Sequence, residues 1–170
     1  MEYCFTTNFD LLETAKFLSP WLLAVLVYLV WYKQKGKEVI ANEAKEIIKN
    51  INIYKLKNTT TFNEILKVKN ESNYFDCIDY DNRNTAMNNL LSSIFFLNEA
   101  VKDKDIIDIS YDLIDLDREL EDYFIEHIKS TESNKPLHSE KILIKIFEIE
   151  KSLGKIKIIA LDYALYKKFL

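Results

Sequence analysis

Six carboxylates, Asp105, Asp108, Asp112, Asp115, Glu119 and Asp122, recur at three- and four-residue steps, a spacing that places them along one face of a helix. Such a row offers the groups for divalent-metal binding or acid–base work. Metal sites in helical bundles draw ligands from several helices, commonly with a Glu/His pair three residues apart. No such pair occurs, and the row is unbroken rather than focused. It reads as a solvated flank, or as one facing the lysines of a neighbouring helix. Asp76, Asp79 and Asp81 suggest a calcium loop, but the turn glycine is missing and Leu90 stands eleven residues after Asp79 where glutamate is required.

The remaining reactive types do not assemble into a site. His127 with Asp117 or Glu121 would be spread around a helical cylinder, so His127 reads as the wet end of an apolar seam. Ser92 and Ser93 lack elbow glycines, and no G-x-S-x-G, P-loop or H-E-x-x-H motif occurs. The chain's two glycines leave no loop to cradle a phosphate. Neither Cys4 nor Cys77 has a second Cys or His at zinc spacing. The sequence predicts no enzyme, no catalytic residue, no metal site and no cofactor. A net charge of −4 also argues against a nucleic-acid partner, and the Tyr and Phe residues fall mostly at core spacing rather than among basic residues.

What the sequence does specify is a set of helices. With two glycines and two prolines it has too few turn residues for an all-β fold. From Phe17 to Tyr32 no side chain is charged, a run of 16 residues. A helix of that length covers roughly 24 Å against a hydrocarbon core of about 30 Å. Trp21, Tyr28, Trp31 and Tyr32 suit the headgroup levels, Lys16 and Lys33 can snorkel from the ends, and slight bilayer thinning supplies the rest. Ser19-Pro20 fits a helix start within the run; the alternative is a helix from about Asn8 that kinks near Pro20. The leading segment is acidic and no A-x-A follows the run, so a cleaved signal is not expected. Lys33, Lys35 and Lys37 follow immediately, against Lys16 alone before it, which predicts an outward N-terminus and a cytosolic C-terminal part.

Beyond the run, Ile40, Ala44, Ile47, Ile48, Ile51 and Tyr54 continue a helical face. "KNTTTFNE" reads as a break, with Thr61 and Glu64 forming a capping box that opens a short helix to about Lys69. "NESNYFDCIDYDNRN" reads as a loop with Tyr74, Phe75 and Ile78 tucked inward, followed by a helix from about Asn82 to Lys102. After the turn "KDKD", the helix Asp105 to about Lys129 carries the most regular apolar seam: Ile106, Ile109, Leu113, Leu116, Leu120 and Tyr123. A loop with Pro136 and His138 precedes a last helix capped by Ser139, and the stretch after Gly154 fits either strand or helix, with helix favoured.

These readings combine into an all-α chain: a short extracytoplasmic tail (1–16), a single N-terminal transmembrane helix (17–32), a juxtamembrane stalk (33–58) and a cytosolic bundle of four or five helices (59–170). The expected protein is single-pass in the cell membrane. It is expected to act as a membrane-anchored interaction module that uses the Ile106–Tyr123 seam to join a cytosolic partner or a second copy of itself, as a homo-oligomer. The alternative is an oligomeric, membrane-active effector, which the absence of a polar pore-lining stripe disfavours.

Overall fold

The computed structural model describes residues 11–65, 78–132 and 139–165. Among them the chain is entirely helical: α1 (Leu11–Ile65), α2 (Ile78–Val101), α3 (Lys104–Glu132) and α4 (Ser139–Ala164). The readings made above of Cys4, Tyr74, Phe75, Asp76, Cys77, Pro136 and His138 fall outside the described residues. The chain divides into two units, 1–38 and 39–170.

In the first unit α1 already runs from Leu11, so Ser19-Pro20 does not begin a helix. Proline at position 20 removes the N–H that would bond the carbonyl of Lys16. The Ser19 hydroxyl donates to that same carbonyl at 3.3 Å. Gly36 is likewise helical and does not interrupt α1.

The second unit is a helical bundle built from the C-terminal part of α1 with α2, α3 and α4. Its core joins Ala44, Ile47, Ile51 and Tyr54 of α1 to Leu90, Ile94 and Leu97 of α2, Leu113, Leu120 and Phe124 of α3, and Ile149, Leu153 and Ile156 of α4. Two expectations are corrected here. The stalk over 33–58 is not separate, since Ala41, Ala44, Ile47, Ile51 and Tyr54 lie in the bundle interior. Nor does "KNTTTFNE" break the helix, because α1 continues to Ile65. The reason is local. The Thr59 and Thr60 hydroxyls donate back to the carbonyls of Lys55 and Leu56, at 3.1 and 2.9 Å, rather than capping a new turn. Asn58 and Thr61 are drawn inside instead of standing in a loop.

The α2–α3 connection is two residues long. Lys102 adopts φ 52° and its N–H bonds the carbonyl of Asn98 at 2.7 Å, closing α2 without the glycine usual at that position. Asp103 then caps α3 by accepting the N–H of Asp105 at 3.1 Å. Gly154 lies within α4, and the stretch after it is helical to Ala164, not strand.

Candidate functional site

Two features stand out against the ordinary packing of this chain: an apolar helical surface left bare and a charged group taken fully inside. The first is the run Phe17–Tyr32. Its thirteen large apolar side chains are each 48–73% exposed, so none is used as core. Trp21 is 67% exposed; Tyr28 lies against Trp31 and stacks on Tyr32, both with ring centroids 6.2 Å apart. Lys33 and Lys35 are exposed and Lys37 is half-buried, with Lys35 pairing with Glu38 at 2.9 Å. An exposed salt bridge of this kind contributes little to stability.

The second feature centres on Arg83 of α2, which is fully buried. Its Nε donates to Asn58 Oδ1 at 2.7 Å, its Nη1 to Asn84 Oδ1 at 3.1 Å, and its Nη2 to the Asp117 carboxylate. The Tyr54 hydroxyl donates to that same carboxylate. The guanidinium carbon lies 5.8 Å from the Tyr54 ring centroid and 5.7 Å from that of Phe124. Three helices therefore meet on one side chain: α1 through Tyr54 and Asn58, α2 through Arg83, and α3 through Asp117 and Phe124. Burial above all pushes the Tyr54 phenol above its usual range; the Arg83 charge opposes this and Asp117 adds to it. The planar fork of arginine serves these acceptors at once, which lysine cannot. The arrangement is a structural tie that fixes how α1, α2 and α3 register.

Sequence reasoning did not find this centre. The available signal was compositional, for Arg83 is one of only two arginines in a chain whose other cationic side chains are lysines.

The predicted seam is corrected in the same region. Ile106, Leu113 and Leu120 are fully inside, and Ile109, Leu116 and Tyr123 pack at the core edge. Of the six, only the partly exposed edges of Ile109, Leu116 and Tyr123 remain open at the surface. The true inward row is Ile106, Ser110, Leu113, Asp117, Leu120, Phe124 and His127, at strict four-three spacing. His127 is buried, not the wet end of the row. Ser110 is accommodated because its hydroxyl donates to the carbonyl of Ile106, and Asp117 because it meets Arg83. The acidic row of Asp105, Asp108, Asp112, Asp115, Glu119 and Asp122 is exposed along its length. Glu119 bonds Lys145 of α4 at 2.7 Å, which raises the lysine's pKa together with Glu148. Among the described residues no three His, Cys, Asp or Glu side chains converge as metal ligands.

Tyr163 near the end of α4 donates to Asp103 at 2.9 Å, tying α4 to the α2–α3 connection. Burial first, then this bond and the carboxylate's charge, push its pKa up to about 12. A phenol whose folded pKa is raised contributes stability that is intact below the unfolded value of about 10 and is lost as pH climbs through the folded value. Thermal unfolding followed between pH 8 and pH 11 should therefore show stability falling above about pH 10. Tyr163→Phe should lower stability at pH 8 by about 1 kcal/mol and weaken the alkaline fall.

No protein-family model, no curated protein and no solved structure matches this chain.

Proposed function

We propose that this chain is a membrane-anchored helical interaction module. Residues 17–32 cross a bilayer once, and the bundle assembles with another protein surface at the cytosolic face. The observation that carries the reading is the bare run. Among the described residues one helix is long and apolar enough to cross a membrane, and its most apolar window has no part buried. A core helix of a soluble protein passes the same length and composition test, but it would be covered. Covering a large apolar side chain is worth about 1.5–3 kcal/mol, so thirteen left in water forfeit on the order of 20 kcal/mol or more. Insertion into lipid recovers that free energy.

The lysines supply the direction. Lys33, Lys35 and Lys37 follow the run, and positive residues next to a spanning helix stay on the cytoplasmic side. A pore-forming effector would need a polar face along the spanning helix. From Phe17 to Tyr32 the only polar side chains are Ser19 and the amphipathic aromatics, which favours the anchor.

Fractionating cells that express the full-length chain with a C-terminal tag tests both parts. The protein should sediment with membranes, resist alkaline carbonate and be released by detergent. The tag should be protected from protease added to intact cells and cut in inverted vesicles. Full-length protein that stays in solution without detergent refutes the anchor, and a tag digested on intact cells refutes the orientation.

A further inference from the structure

α4 is apolar on two opposite sides. One side faces the bundle core through Ile149, Leu153, Ile156 and Ala160. The other presents Leu143, Ile144, Phe147, Ile158, Leu161 and Leu165 to solvent, with Phe147 69% and Ile158 64% exposed. Ile144, Phe147, Gly154, Ile158, Leu161 and Leu165 occupy positions of one alternating three-four series, which Lys151 completes. That is the spacing of a seam for a further helix. At its middle, a Cβ added to Gly154 would meet nothing within 4 Å, so another backbone has room to approach there.

We infer that this outward face of α4 is where two copies of the chain join, α4 against α4 and parallel. The inference rests on the reading of the bundle as an interaction module and names its surface. Two arguments select a second copy. The first is area. A half-exposed side chain of this size offers on the order of 100 Å², so the six expose roughly 600 Å², the larger part of the ~800 Å² per partner of a standard interface.

The second argument is charge. On one flank of the stripe lies the acidic row of α3: Asp105 and Asp108 border a groove of about 350 Å³ with Lys155 and Ile158, and Glu119 bonds Lys145. On the other flank lies α1, joined to α4 by Lys55 and Glu150 at 3.6 Å, with Lys45 and Lys49 exposed on it and Lys49 paired with Glu46 at 3.0 Å. A two-fold axis running along α4 sets the acidic flank of each copy opposite the lysine-bearing flank of the other. An axis across α4 sets acid against acid. Complementarity therefore selects the parallel pair. A lysine at one seam position, as at Lys151, is the kind of polar residue that fixes register while lowering affinity.

The test uses the full-length chain, in detergent or in plain buffer as its solubility dictates, with protein mass read by light scattering. The wild type should have the mass of two chains, and F147E/I158E that of one, with unchanged helical content by circular dichroism because both positions are exposed; its melting temperature should fall only by the stabilisation that association lends the wild type. In a C4S/C77S background, F147C should cross-link to itself under mild oxidation, since a parallel pair brings equal positions together. A monomeric wild type, or a dimer that survives both glutamates, overturns the inference. Cross-linking of F147C to L161C in mixed samples, without F147C self-linking, overturns the parallel arrangement. A full-length chain that needs no detergent refutes the bilayer anchor and leaves this face intact, because the mass is read in the same way.

Discussion

Replacing Arg83 by alanine is expected to lower the stability of the bundle by about 3–5 kcal/mol, a fall of roughly 10–15 °C in melting temperature for a unit of this size. The loss comes less from the contacts removed than from what remains. Asp117, whose side chain is 14% exposed, would keep a charge with no guanidinium to meet it, and Asn58 would hold a buried carbonyl oxygen without its donor. Asp117→Ala should cost a similar amount by stranding the arginine. Asp117→Asn should cost less, since an amide oxygen still accepts from Arg83 and Tyr54. The cycle matters more than any single value. With Tyr54→Phe in the background, R83M/D117L should recover much of the stability that either single change loses, because paired removal of a buried ion pair in favour of apolar groups is often neutral. Circular dichroism melts of the five proteins decide it. A loss under 1 kcal/mol for Arg83→Ala would mean that the guanidinium is not the tie between α1, α2 and α3.

The same cluster explains which parts of the fold were legible in the sequence. Helix identity followed from apolar spacing and the scarcity of glycine and proline. The inward row of α3 was half legible. Apolar spacing identifies Ile106, Leu113 and Leu120 but points to Ile109, Leu116 and Tyr123 for the alternate positions, because Ser110 and Asp117 are polar. The axis of burial is turned one residue further, so Ser110, Asp117 and Phe124 point inward and the three apolar side chains pack at the edge. Pattern reading places polar residues outside by default. It has no term for an arginine on another helix that makes an aspartate worth burying. The break assigned to "KNTTTFNE" failed for the related reason that Asn58 serves Arg83 and Thr59 and Thr60 bond backward along their own helix.

Leu22→Asp with Leu26→Asp should move the full-length protein out of the membrane fraction. Aspartate at the centre of a spanning helix is unfavourable by about 3 kcal/mol and is too short to snorkel. Two such changes, together with the two lost leucines, amount to roughly 6–7 kcal/mol, more than a ten-thousandfold change in partition at 1.4 kcal/mol per decade. Immunoblots of sedimented and soluble fractions read the shift. If the wild type and the aspartate variant fractionate alike, lipid does not cover this run. The contrast with α4 sharpens the expectation. Exposed apolar residues on α4 form one stripe, interrupted by Lys151 and bordered by Glu150 and Lys155, with the opposite side packed into the core. A one-sided surface is satisfied by one partner. Between Phe17 and Tyr32 the apolar side chains face outward all round the helix, and only a solvent that surrounds the cylinder removes them from water. The two surfaces should therefore answer separately: L22D/L26D changes where the protein sediments, whereas F147E/I158E changes its mass and leaves its fractionation as it was.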